Sequence, residues 1–116
     1  MISSIISTAF SGMAAQQKRM EAIASNVANA DTPGYARRDV SMVSGPINGV
    51  GGGGVQAVVR EEDTGAGGID LATELTGMIE AKMGYEANLA VMETGMDMWD
   101  MLMSALEPKD RDERWR

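Results

Sequence analysis

Three carboxylates, Glu93, Asp97 and Asp100, recur at i, i+4 and i+7, a spacing that sets them on one face of a helix. Such a row could hold a divalent cation or supply a carboxylate pair for acid–base work. Hard-cation sites usually gather oxygens from a tight loop, however, and nothing on this face would raise a carboxyl pKa. The row reads as a solvated acidic face, or one that meets basic residues of a neighbour. Gly49-x-Gly51-x-x-Gly54 carries the letters of a dinucleotide fingerprint. No strand leads into it and no helix leads out, and a run of four glycines matches such patterns trivially, so it reads as a solvated loop. The chain has no His and no Cys. That removes Ser-His-Asp and Cys-His arrangements, His-based zinc sites and thiolate chemistry together. No catalytic, cofactor or metal residue is expected.

The totals point the same way. At 116 residues the chain fits one domain, and its formal charge of −7 opposes nucleic acid and anionic lipid alike. No apolar run approaches the roughly 18 residues of a membrane span. The N-terminus Met1-Ile2-Ser3-Ser4 lacks a basic region, and Ser3, Ser4, Ser7 and Ser11 break the first apolar stretch, so a cleaved secretory signal is not expected.

What remains is periodicity. Ile2, Ile6, Ala9, Met13, Gln16, Met20, Ile23, Val27 and Ala30 alternate steps of four and three, with Gln16 the one polar break. Leu71, Leu75, Met78, Lys82, Tyr85, Leu89, Met92, Met96, Trp99, Met103 and Leu106 follow the same rule, with Lys82 the break. A sustained four-three alternation is the heptad seam of a coiled coil. Met83, Met98, Met101, Ile79 and Leu102 lie off that seam and widen the apolar surface beyond what one partner helix covers. Gln16 and Lys82 are expected midway along an antiparallel pair, where buried polar residues can fix register.

The first helix is predicted from Ser3 or Ser4 to about Asn29, about 40 Å long. Asp31-Thr32-Pro33-Gly34 stops it, with Pro33 and Gly34 suited to the second and third positions of a type II turn. Arg38 to Val43 and Val55 to Arg60 partly alternate polar and apolar, which predicts two short strands joined by the glycine-rich loop. The second helix is predicted from an Asp70 N-cap to about Glu107, with Glu74 in its first turn and Pro108 beyond its end. The fold class is therefore mainly α: two long terminal helices paired as an antiparallel coiled coil, with a short β-hairpin insert. The divisions are 1–34 (helix and exit turn), 35–68 (insert), 69–107 (second helix) and 108–116 (a charged tail, expected to be disordered in the free monomer).

The most specific stretch is Ser25 to Tyr35. Asn26-Val27-Ala28-Asn29 followed by Thr32-Pro33-Gly34-Tyr35 resembles the N-terminal signature of bacterial flagellar rod and hook (axial) proteins. Asp70-Leu71-Ala72-Thr73-Glu74, continuing through Met78-Ile79-Glu80-Ala81-Lys82 to Tyr85-Glu86-Ala87-Asn88-Leu89, resembles their C-terminal signature. The resemblance covers more than half of the chain, in the right order at opposite ends. It implies paired terminal helices that assemble side by side into the tubular axis of the flagellum. It also implies partners among other rod proteins and copies of itself, and export to the periplasmic rod by the flagellar secretion apparatus without a cleaved signal. The insert is shorter than those of hook and distal-rod members, which favours a proximal-rod subunit.

The expected function is thus a non-enzymatic structural subunit of the rod that transmits torque. Its assembly interface is expected at Ile6, Met13, Met20, Ile23 and Val27 on the first helix. On the second it is expected at Leu75, Met78, Tyr85, Leu89, Met92, Met96 and Trp99. The turn motif is Asn26, Asn29, Thr32, Pro33, Gly34 and Tyr35. The rival is an adaptor or chaperone-like helical hairpin that binds an amphipathic partner helix through its Met-rich face.

Overall fold

The computed structural model of the chain describes residues 2–47, 50–63 and 68–107, with the backbone only for 47 and 50–52. Four elements follow one another: α1 (Ile2–Ala28), β1 (Arg37–Ile47), β2 (Val50–Glu62) and α2 (Leu71–Leu106). Both helices end within two residues of the predicted limits. The Asp70 carboxylate caps α2, accepting from the Thr73 hydroxyl at 2.8 Å and from Ala72 N–H at 3.1 Å. Those bonds, Thr73's first, hold the Asp70 carboxyl below its ordinary range.

The two helices pack against each other along their length. Arg19 reaches Glu80 at 2.8 Å. A Cβ built on Gly77, Gly84 or Gly95 would stand 3.2 Å from Ile23, 2.7 Å from Gln16 and 3.1 Å from Ile6 respectively. One built on Gly12 would meet Asn88 at 2.6 Å. Residue numbers therefore rise along α1 as they fall along α2. The seam on α2 is Glu74, Gly77, Ala81, Gly84, Asn88 and Gly95. Its steps are threes and fours as far as Asn88, then one of seven to Gly95, and it lies one position, about 100° of rotation, from the apolar stripe read in the sequence.

The offset has a physical cause. Hydrophobic periodicity weights large apolar side chains, while close helix approach requires small ones. Gly and Ala on both helices let the backbones come together, and the large residues are turned to the flanks. Ala9, Ala15, Ala22 and Ala81 are buried, and Ile23 is the only buried apolar side chain larger than alanine among the described residues. Gln16 does sit in the seam, against Gly84, with its Oε1 buried and unpartnered among the described residues. Lys82 does not. Its side chain is 74% exposed, with Glu86 3.9 Å away, so it is no buried register pin.

β1 and β2 form an antiparallel hairpin, from Arg37 opposite Glu62 to Pro46 opposite Gly53, with an irregularity at Pro46/Ile47. The strands run further than predicted. Most of the expected glycine loop, and Glu61 and Glu62 beyond Arg60, belong to the ladder. The hairpin rests on α1, where Thr8 and Ser11, one of the serines that break the apolar run, help to hold it. Thr8 donates its hydroxyl to the Gly53 carbonyl at 2.8 Å, and Val55 N–H donates to Ser11 Oγ at 3.1 Å. The charged tail, whose disorder is expected from sequence, lies outside the described residues.

The result is a slab, 84 × 29 × 15 Å, little more than one helix thick. Its radius of gyration is 21.4 Å, against about 13 Å for a compact chain of this length. Its accessible surface is 8694 Å², against about 6,100 Å² for a compact monomer of this mass.

The position of the seam is testable. Ala81→Leu should cost about 1–3 kcal/mol in urea unfolding by forcing the helices apart. Leu75→Ala, at a side chain 64% exposed, should cost about 0.5 kcal/mol or less. A seam made of the large residues would give the reverse order.

Candidate assembly site

The exit from α1 is where three elements meet. Asn26 is fully buried in the last turn of α1. Its Oδ1 accepts from the Arg38 backbone N–H at 2.8 Å and from the Tyr35 hydroxyl at 3.1 Å. Its Nδ2 donates to the Arg38 carbonyl at 2.8 Å and to Glu74 Oε2 at 3.2 Å. Both acceptor and both donor positions of the amide are thus filled, and a flipped amide would set oxygen against the Arg38 carbonyl and the Glu74 carboxylate. Toward β1 the side chain imitates a neighbouring strand, bonding both backbone groups of one residue. Because Tyr35 gives its one proton to Asn26, the 2.8 Å contact between Ser25 Oγ and Tyr35 Oη has Ser25 as donor.

Glu74, 1% exposed, is the other buried polar side chain of this junction. Besides Asn26 it takes the Arg37 Nε–H at 2.6 Å, and Arg37 also reaches Glu62 at 3.0 Å. Burial works to lower the Arg37 pKa, but the bonds and charges of Glu74 and Glu62 outweigh it, and the guanidinium is held above its ordinary value. Position matters too, since a carboxylate in the first turn of α2 faces the positive end of that helix.

The turn completes the geometry. Tyr35 N–H returns to the Thr32 carbonyl at 3.3 Å, with Pro33 and Gly34 between them and Gly34 at φ +76°. That is the type II arrangement, with glycine where a side chain is penalised. Asn29 Nδ2 donates to the Ser25 carbonyl at 2.8 Å, and the Thr32 hydroxyl bonds Asn29 Oδ1 at 3.3 Å. All six motif residues therefore act at one junction. The sequence reads as a helix stop here, with Glu74 a first-turn charge on α2, and gives no sign of the parts that Arg37 and Arg38 play. The available signal was Glu74, a polar residue heading the small-residue series Gly77, Ala81 and Gly84.

The expected interface residues are divided. Ile23 is buried in the helix seam. Ile6, Met13, Met20, Met78, Tyr85 and Met92 are half-buried, and Val27, Leu75, Leu89, Met96 and Trp99 are exposed. Leu71, Ile79, Met83, Met98, Met101, Leu102 and Leu106 are exposed as well. Glu93, Asp97 and Asp100 stand in solvent, and no group of acidic side chains suited to a metal gathers among the described residues. Of the glycine pattern, Gly51 and Gly54 lie inside β2, not ahead of a helix, and Gly49 is outside the described residues. No described helix is long and apolar enough to cross a membrane.

Two substitutions test the junction. Asn26→Ala would strand both backbone groups of Arg38 and one oxygen of Glu74, so a loss of about 2–5 kcal/mol is expected in denaturant unfolding. Faster hydrogen exchange at the Arg38 amide should accompany it. At Gly34, where no other atom lies within 4 Å of a built Cβ, the penalty is purely conformational. Gly34→Val should cost about 1–2 kcal/mol without disturbing the α1–α2 seam, read as unchanged exchange protection at Ala81.

No curated protein matches the chain. Two family models do: the flagella basal body rod protein model over residues 6–35 and the C-terminal model of flagellar basal body rod FlgEFG proteins over residues 66–105. The first ends on Tyr35 and so takes in the whole exit motif. The second contains Asp70, Glu74 and all of α2 but its last residue. The two ends of the chain that the Asn26–Glu74 contact ties together are thus the two that carry the family signatures, and the chain belongs to the flagellar basal body rod proteins, a structural and non-enzymatic family whose members assemble together in the basal body.

Proposed function

We propose that the chain is a proximal-rod subunit that assembles through the outer faces of its paired helices, in coiled-coil fashion, into the tubular axis that transmits torque. It reaches the periplasmic rod through the flagellar export apparatus. The observation that carries this is the outward apolar stripe of α2 on a slab one helix thick. The surface in excess of a compact monomer is about 2,600 Å², and a standard interface takes about 800 Å² from each partner. The slab thus has area for contacts on several sides, as a tube wall requires. The hairpin, the only insert among the described residues, is too small to add an outer domain, and this supports a proximal position. Ile6, Met13, Met20 and Val27, with Leu75, Met78, Tyr85, Leu89, Met92, Met96 and Trp99, are the side chains available to neighbours.

Sedimentation and circular dichroism across concentration test the reading. Isolated helices with unfilled faces are marginal in water, so helix content should rise as the chain assembles. Burying an exposed Met is worth about 1.5–3 kcal/mol, so Met96→Glu should raise the concentration of half-assembly roughly tenfold or more and leave the fold of the dilute chain unchanged. A chain that stays a small oligomer at every concentration would favour the adaptor. The rod position is read from density in intact basal bodies.

A further inference from the structure

The hydrogen bonds from α1 fix which backbone groups of the hairpin point outward. In an antiparallel pair, residues alternate between those bonded to the partner strand and those turned away from it. Asn26 takes both the N–H and the C=O of Arg38, so Arg38 and its opposite, Glu61, are of the second kind. No irregularity precedes Pro46/Ile47. The same therefore holds for Val40 and Val59, Met42 and Ala57, and Ser44 and Val55. The tip agrees, since Val55 N–H and the Gly53 carbonyl both turn outward, to Ser11 and Thr8. The hairpin thus crosses α1 obliquely. Asn26 covers the β1 edge at its base, and Ser11 and Thr8 cover the β2 edge near its tip. The outward groups of Val40, Met42 and Ser44 on one edge, and of Ala57, Val59 and Glu61 on the other, make no bond among the described residues. Single chains usually protect such edges with charges or proline. Val40–Ser44 and Val55–Val59 contain neither, and Val43, Val58 and Val59 are exposed.

We propose that the β2 edge of one copy pairs antiparallel with the β1 edge of the next, so that the hairpins of neighbouring subunits form one continuous sheet. This rests on the self-assembly reading above and gives the hairpin a part in it. The chemistry of the edge selects its occupant. A row of unpaired donors and acceptors at period two is matched by another strand, not by a helix or an apolar surface. A second copy supplies that strand, because each chain carries two free edges of equal length on opposite sides of its sheet. Charge sets the direction. β1 begins with Arg37 and Arg38, and β2 ends with Glu61 and Glu62. Antiparallel pairing of β2 with β1 brings the acidic end of one copy toward the basic end of the next, whereas β2 on β2 turns it toward an uncharged stretch. Each added copy leaves the same edge free, so the contact propagates instead of closing as a two-fold dimer does.

An outward N–H carries no bond within the hairpin, so proline can replace it at an edge without breaking the ladder. Val59→Pro and Met42→Pro, in the full-length chain, each disable one edge. In the unaltered chain, amide exchange at Met42, Ser44, Ala57 and Val59 should be fast when dilute and roughly tenfold or more slower at assembling concentration. Ser41 and Val58, bonded within the hairpin, should stay protected throughout. Each variant should need a roughly tenfold higher concentration to half-assemble, with Ser41 and Val58 protected as before. Mixing isotope-labelled Val59→Pro with unlabelled Met42→Pro should restore slow exchange at Met42 and Ser44, because one good edge of each kind remains. Fast exchange at the outward amides of a chain that sediments as an assembly overturns the edge contact and leaves self-assembly standing. Protection at Ala57 and Val59 that persists in Met42→Pro alone means that β2 pairs with β2, and overturns it too. If the chain stays monomeric at every concentration, both readings fall.

Discussion

Asn26 uses all four of its hydrogen-bonding positions at the one point where the end of α1, the start of β1 and the start of α2 coincide. Few other contacts could hold these parts together, because a slab 15 Å thick has no interior in which a large apolar core could form. The junction is polar for that reason. A buried amide whose every donor and acceptor is matched accepts only one arrangement of its neighbours, whereas an apolar contact accepts several. Arg37 extends the same constraint to the far strand by bonding both Glu74 and Glu62. The angle at which the hairpin leaves α1, and the register at which α2 returns along it, follow from this one cluster.

Away from the junction, the helices are joined by their smallest residues. Gly12, Ala15, Ala22, Gly77, Ala81 and Gly84 allow close approach, but each buries little area, so the seam contributes modestly to stability. The consequence appears on the flanks. Every large apolar residue kept out of the seam remains available to another chain. Close intramolecular pairing and a wide exposed apolar surface are thus two results of the same side-chain placement.

The elements themselves were legible in the sequence, and the face each helix presents was not. Asp70 capping, the Pro33-Gly34 turn and the helix limits depend on local backbone chemistry, which single residues declare. The seam depends on which of two overlapping four-three series meets a partner, and hydrophobicity favours the series with Leu75 and Met96 over the one with Gly77 and Ala81. Glu74 was read as a first-turn charge because its partners, Asn26 and Arg37, are 48 and 37 residues away. The serines of α1 were read as interruptions because the hairpin that Ser11 holds comes 44 residues later. Motif resemblance pointed to the exit residues without supplying the hydrogen bonds that join them.

The separation of roles also bears on how a rod subunit can exist before it has neighbours. A monomer stabilised by large apolar contacts would have to surrender them when it joined a tube. In the proposed assembly the polar junction and the small-residue seam stay as they are in the free chain, and the exposed apolar flanks are what a neighbour covers. Assembly of that kind would add apolar burial without undoing any contact already made, so the free chain could be marginal while the finished structure is not. Methionine suits those flanks because its flexible side chain can pack against neighbours of more than one shape. A tube wall demands that, since the surfaces beside, above and below each subunit are not the same.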